Sequence, residues 1–132
     1  MENNIKNVLI MASGVGSNFE AIVKYFKKIK RFDIKFKLLC NKKEIEAPVI
    51  KKAQKLNIET FVLDFCDFSS FFQNHKFDLV VMAGFDRILD EEIIKTNTFL
   101  NIHPSLLPKY KGLNAIKRAF VNNEEYTGLT IH

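Results

Sequence analysis

Short apolar segments alternate with amphipathic segments along all 132 residues of this chain, and this alternation limits the possible folds more than any other feature. Apolar residues at every second position, or in continuous runs, predict strands at residues 7–12, 34–40, 59–63, 78–83, 99–103 and 126–132. Apolar residues at helical spacing predict helices at residues 18–29, 47–56, 68–75, 90–95 and 116–122. Such alternation predicts the α/β class: a doubly wound, mostly parallel sheet with helices on both faces.

Length and composition predict one soluble globular domain over residues 1–132. A chain of this length buries roughly two-thirds of its unfolded surface on folding, which is sufficient for a core. Apolar residues make up 47% of the chain and charged residues 27%, whereas disordered chains are poorer in apolar residues. The apolar run near the N-terminus is too short to cross a bilayer and lacks a cleavage site. We therefore expect no targeting segment, no membrane partner and a cytoplasmic location.

The chain carries a formal net charge of +5 and has a pI of about 9.2. Its lysines are scattered and form no basic block, which does not favour a nucleic-acid partner. Small anionic ligands fit this charge at least as well, and so does a solvated lysine-rich surface. Cys40 and Cys66 have no metal-ligand spacing and are expected to be free thiols, so no metal is predicted.

A glycine-rich segment, residues 13–18 (SGVGSN, here the glycine loop), joins the first predicted strand to the first predicted helix. Backbone N–H groups and the helix dipole at such a position form a site for an anion such as phosphate. The loop is not a Walker A motif, because no Lys-Ser/Thr pair follows. It is not a full dinucleotide motif either, because Phe19 lies three positions after Gly16. A tight turn with a Ser or Asn helix cap explains the same residues without a ligand, and spacing alone does not separate the two interpretations.

Asn101 and His103 lie two positions apart on a predicted strand, so their side chains share one face while Ile102 points to the other. This pair suits attack on a carbonyl, because Asn stabilises developing negative charge on oxygen and His transfers protons near neutral pH. A polar strand end at the sheet edge explains the pair without chemistry. The proline-stiffened loop that follows, residues 104–108 (PSLLP), favours a binding site, since open α/β sheets bind ligands at the carboxyl ends of their strands.

Four segments of the chain resemble phosphoribosylglycinamide formyltransferases in order and spacing. They are residues 8–23 (VLIMASGVGSNFEAIV), 83–89 (AGFDRIL), 101–115 (NIHPSLLPKYKGLNA) and 124–132 (EEYTGLTIH). The segment 101–115 is the most specific of them, whereas the glycine loop alone is a weak signal. The resemblance covers essentially the whole chain and implies the family's Rossmann-like formyltransferase fold.

The resemblance implies an enzyme that transfers the formyl group of 10-formyltetrahydrofolate to the amine of N1-(5-phospho-ribosyl)glycinamide (glycinamide ribonucleotide). This one-carbon transfer is a step of de novo purine biosynthesis, which leads to IMP. The implied chemistry is direct attack of the glycinamide amine on the formyl carbon, with the folate as co-substrate and without a metal or a covalent enzyme intermediate. The implied partners are these two small molecules, and the implied state is a monomer or a weak homodimer.

The same resemblance assigns roles to individual residues. It implies that the phosphate of glycinamide ribonucleotide is bound by Gly16, Ser17 and Asn18. It implies that the folate pterin lies mainly against the backbone of Asp86, Arg87, Ile88 and Leu89, and also contacts Asn101. Asn101 would then polarise the formyl group, and His103 would transfer the proton.

Three residues depart from the family's pattern. Asp86 stands where the family usually has an apolar residue, and Lys111 and Asn114 replace a Pro and a His. The family also has an aspartate a few residues beyond the position of His132, on a loop that closes over the site and hydrogen-bonds the catalytic His. The resemblance therefore predicts that the domain is truncated at its C-terminus and transfers formyl slowly in this form.

Three other functions are compatible with parts of the pattern. Methionyl-tRNA formyltransferase shares the Asn-x-His strand and an SLLP-like loop but lacks the GxGSN loop. Formyltetrahydrofolate deformylase is similar too, but it usually carries a preceding regulatory domain and a different first loop. The third function is a non-catalytic phosphate-binding module of the same fold. Such a module needs no pterin site, so folate binding distinguishes it from the enzymes.

Overall fold

The structure, a computed structural model, describes residues 5–103, 107–109, 111–112, 114–124 and 129–132. Its strands are β1 (Asn7–Met11), β2 (Lys35–Cys40), β3 (Glu59–Val62), β4 (Leu79–Ala83), β5 (Phe99–His103) and β6 (Thr130–Ile131). Its helices are α1 (Ser17–Lys28), α2 (Val49–Lys55), α3 (Phe68–Asn74), α4 (Glu91–Ile94) and α5 (Ala115–Val121). This order confirms the predicted alternation. Residues 126–128 of the last predicted strand and residues 104–106 of the predicted loop lie outside the described residues.

The helix boundaries differ from the predicted ones by at most two residues. Apolar spacing identifies the residues that face the core, whereas the ends of a helix depend on local capping contacts. In α4, the Asp90 carboxylate accepts a hydrogen bond of 3.1 Å from the backbone N–H of Ile93, so the helix begins after Asp90. A 3-10 turn at Phe65–Asp67, which the sequence pattern did not predict, leads into α3.

Within the described residues, the strands form one sheet in the order β3-β2-β1-β4-β5-β6. The strands β1 to β5 are parallel to one another, and β6 is antiparallel to β5. The chain builds outward from β1 in one direction through β2 and β3, and then returns to the other side of β1 at β4. The sheet is therefore doubly wound, as predicted, and its topological switch point lies between β1 and β4.

The core has two layers, one on each face of the sheet. Val8 and Ile10 of β1 pack in the layer that contains α1 and α2, whereas Leu9 and Met11 pack in the layer that contains α3 and α4. These four side chains are almost completely buried, and burying each contributes roughly 1.5–3 kcal/mol. The central strand therefore holds the two layers together. None of the described helices has the length and continuous apolar character of a bilayer-crossing segment.

Candidate active site

A cavity of about 980 Å³ opens at the carboxyl edge of the sheet. It is lined by the segment that follows β4, by the end of β5, by the start of α5 and by His132 at the end of β6. Six of the residues predicted for the site are in its lining: Asp86, Arg87, Ile88, Leu89, Asn101 and His103. Lys111 and Asn114, two of the departures from the family pattern, line it as well. Among the described residues, no His, Cys, Asp and Glu side chains are grouped as a metal would require.

Asn101 and His103 are fixed in the cavity wall by strand pairing on both sides of β5. Asn101 lies beside Met82 of β4, and its backbone N–H and C=O both bond to His132, at 2.7 and 3.0 Å. His103 lies opposite Thr130 of β6 and is only 6% exposed. The two side chains therefore share one rigid wall, as their spacing in the sequence predicts.

His132 is a cavity residue that the sequence pattern did not identify. Its Nε2 lies 2.9 Å from Nδ2 of Asn101, and its ring centroid lies 6.0 Å from that of His103. An amide nitrogen only donates, so this contact is a hydrogen bond in the tautomer of His132 that leaves Nε2 unprotonated. The sequence contains no signal for it, since the contact depends on how β6 pairs with β5, and its two residues lie 31 positions apart in the chain.

The glycine loop lies beside the cavity rather than in its lining. Gly16 is the N-cap of α1 and has a φ of 79°, which favours glycine. Ser17 and Asn18 are exposed, and no described side chain caps the first turn of α1. A Cβ added to Gly16 would lie 2.3 Å from Cγ2 of Val49, so the fold itself requires glycine here. The first turn of α1 thus presents backbone N–H groups to solvent, which is the arrangement that binds an anion.

Residues 84–89, here the post-β4 segment, are anchored at both ends of their path. The Phe85 ring stacks against Phe68 with centroids 5.5 Å apart, and Leu89 is buried in the core layer of α3 and α4. Between these anchors, Arg87 lies over the Phe65 ring at 5.1 Å, and Ile88 is 71% exposed. The backbone path is therefore well defined, while two side chains remain accessible to a ligand.

The carboxylate of Asp86 has a structural role that the sequence pattern did not predict. Its Oδ1 accepts hydrogen bonds of 2.9 Å from both Ser13 Oγ and Asn41 Nδ2, and its Oδ2 lies 2.7 Å from Lys42 Nζ. Partial burial raises the pKa of Asp86, but the hydrogen bonds from Lys42, Asn41 and Ser13 outweigh this and hold it below its usual value. The side chain of Asp86 therefore holds the post-β4 segment in place, and the expectation that the pterin lies mainly against the backbone of residues 86–89 stays a prediction.

This pKa shift predicts a pH-dependent contribution to stability. A carboxyl group whose pKa is lower in the folded state stabilises the fold above its unfolded pKa, and the contribution is lost as the pH falls through the folded pKa. We expect the difference in free energy of unfolding between wild type and Asp86→Asn to be largest near neutral pH and to shrink below about pH 4. Denaturant unfolding of both proteins between about pH 7 and about pH 3 measures it. Lys42→Met, which removes only the ion pair, should show part of the same effect, whereas a difference that is constant with pH would contradict the assignment.

Comparison with known proteins places this architecture among formyl-transferring enzymes. The formyl transferase family matches residues 6–132. Phosphoribosylglycinamide formyltransferase of Bacillus subtilis (strain 168) is 33% identical over 97% of this chain and 71% of its own length. Trifunctional purine biosynthetic protein adenosine-3 of Gallus gallus is 33% identical over 100% of this chain, which spans only 14% of that protein. The crystal structure of phosphoribosylglycinamide formyltransferase from Bacillus halodurans is similar with a TM-score of 0.82 and 31% identity, over 96% of this chain and 71% of that one.

Proposed function

The chain belongs to the formyl transferase family, and we propose that it transfers the formyl group of 10-formyltetrahydrofolate to the amine of glycinamide ribonucleotide in de novo purine biosynthesis. The names of similar proteins support this substrate pair, since both curated relatives act in purine biosynthesis or on a phosphoribosylglycinamide. The observation that carries the proposal is the convergence of Asn101, His103 and the post-β4 segment on one cavity at the carboxyl edge of the sheet.

The two polar side chains on β5 suit the transfer itself. The amine nitrogen attacks the formyl carbon, so a new C–N bond forms, negative charge develops on the formyl oxygen, and the C–N bond to the folate then breaks. An Asn amide has two N–H groups. One of them at Asn101 faces His132, and the other, which has no partner among the described residues, can donate to the formyl oxygen. His103 takes the proton from the attacking amine and passes it towards the departing folate nitrogen.

The two ends of the site suit the two substrates. The first turn of α1, with Gly16, Ser17 and Asn18, provides N–H groups and the positive end of the helix dipole for the phosphate. The post-β4 segment and Asn101 provide backbone and amide groups for the pterin. Arg87 and Lys111 add positive charge to the cavity, which complements the anionic groups that both substrates carry.

Several features of the proposed enzyme remain predictions. We expect a monomer or a weak homodimer with a cytoplasmic location, and we expect no metal, membrane or nucleic-acid partner. The chain covers only part of its relatives, so its activity in isolation is part of the proposal.

Calorimetric titration tests the proposal. We expect glycinamide ribonucleotide and 10-formyltetrahydrofolate each to bind with one-to-one stoichiometry, and their mixture to yield tetrahydrofolate. Asn101→Ala should reduce the rate of transfer far more than the affinity for either substrate, because the amide acts on charge that develops during the reaction. Binding of the nucleotide without binding of the folate would contradict the proposal and favour the non-catalytic phosphate-binding module.

A further inference from the structure

Three loops that leave neighbouring strands are joined by one carboxylate at the topological switch point. Ser13 follows β1, Asn41 follows β2, and Asp86 lies in the post-β4 segment. The strands β2, β1 and β4 are adjacent in the sheet, so their carboxyl ends lie side by side. The glycine loop thus begins at the same contact point that fixes the post-β4 segment.

The bonds at this point are reciprocal. The backbone N–H of Asp86 donates to Ser13 Oγ at 2.9 Å, and Ser13 Oγ lies 2.9 Å from Oδ1 of Asp86. Ser13 Oγ also lies 2.8 Å from Asn41 Oδ1, and since a hydroxyl has one proton, it donates to one of these two oxygens at a time. The Ser13 backbone N–H donates to the C=O of Gly84 at 3.1 Å. The glycine loop and the post-β4 segment are therefore bonded directly to each other, through Ser13 on one side and Gly84 and Asp86 on the other.

Burial and charge make the connection stiff. Ser13 is only 3% exposed, so its hydroxyl is held away from competing water. The Asp86 carboxylate accepts from Asn41 and from the cation Lys42, and it shares the proton of Ser13 Oγ with Asn41 Oδ1. Charge-assisted hydrogen bonds such as that from Lys42 are shorter and stronger than neutral ones. Displacement of the glycine loop therefore moves the Asp86 carboxylate and, with it, the post-β4 segment.

We propose that Asp86 is a positioning residue that couples the phosphate end of the site to the folate end, so that binding of one substrate strengthens binding of the other. The inference rests on the proposed function, because the two loops are the proposed binding elements for the two substrates. Ordering of either loop by its ligand orders the other through the Asp86–Ser13 contact, and the second ligand then binds to a loop that is already ordered.

The test measures the affinity for glycinamide ribonucleotide with and without saturating tetrahydrofolate, which lacks a formyl group and so permits no turnover. In wild type we expect tetrahydrofolate to lower the Kd for the nucleotide by about fivefold or more. A factor of about five is the lower end of the usual range by which one ligand changes the affinity for another. Asp86→Met should abolish most of this factor. Asp86→Asn should retain part of it, because an amide oxygen still accepts from Ser13 and Asn41. Asp33→Asn, which removes an exposed carboxylate paired with Arg31, is the matched control and should leave the factor unchanged.

Ser13→Ala removes the same contact by changing its other residue, so the test does not depend on Asp86→Met alone. Thermal unfolding would detect misfolding of Asp86→Met. The variant that combines Asp86→Met with Ser13→Ala should lose no more coupling than either single variant, because the two substitutions remove the same contact. Wild type that binds both ligands without coupling, or coupling that survives both Asp86→Met and Ser13→Ala, would overturn this inference alone. Wild type that binds neither ligand would overturn the proposed function and the inference with it.

Discussion

Replacing His103 by glutamine is expected to slow formyl transfer by a factor of about 10² to 10⁴, the usual contribution of a positioned general acid–base group. Glutamine keeps the polarity and approximate size of the side chain but cannot exchange a proton in the reaction. His103 is almost buried and lies between β4 and β6 in the cavity wall, so its position is held by the sheet. Steady-state kinetics should therefore show the loss in kcat, with much smaller changes in the KM of either substrate.

His75 offers a matched control for this substitution. It follows α3 and precedes β4, so it lies at the amino edge of the sheet, opposite the cavity, and its Nδ1 contacts the C=O of Phe71 at 2.9 Å. His75→Gln should leave kcat unchanged. Circular dichroism of both variants would verify folding. An unchanged kcat in folded His103→Gln would show that His103 does not transfer the proton. His132, the other imidazole in the cavity, would then be the candidate for that role.

Replacing Gly16 by alanine is expected to lower the free energy of unfolding by about 2–5 kcal/mol. The left-handed conformation of Gly16, with φ at 79°, costs about 1–2 kcal/mol in a residue with a Cβ. The added Cβ would also lie 2.6 Å from Cβ of Val49 and 3.1 Å from its Cα, so α2 would have to move. Such overpacking costs typically about 1–3 kcal/mol. Chemical denaturation monitored by circular dichroism measures the sum.

Gly14, two positions earlier in the same loop, is the control for this effect. A Cβ added there meets no atom within 4 Å, and its φ is not in the left-handed region. Gly14→Ala should therefore change the free energy of unfolding by less than about 1 kcal/mol. Equal stabilities of Gly14→Ala and Gly16→Ala would show that the loop rearranges and that its contact with Val49 is not required. Because Gly16 supports the fold, weaker phosphate binding by Gly16→Ala would not by itself locate the phosphate.

The local spacing of apolar residues was sufficient to predict the strands and α-helices of this fold. The apolar runs at residues 7–12 and 78–83 predicted the strands β1 and β4, and apolar residues at helical spacing in residues 18–29 predicted α1, whose Phe19 and Val23 are buried. The face shared by Asn101 and His103 follows from the period of a strand alone. These features depend on residues a few positions apart, and backbone geometry relates such residues in the same way in any protein.

The sequence therefore determines the α/β class, the order of the strands and α-helices along the chain and the shared face of Asn101 and His103. The order of the strands, the antiparallel direction of β6 and the contact of His132 with Asn101 are visible only in the assembled sheet. So is the role of Asp86, whose partners Ser13 and Asn41 lie 73 and 45 positions away in the chain. The physical reason is that such contacts depend on which strands become neighbours, and strand order depends on how the helices cover both faces of the sheet. No short segment of the chain contains that information.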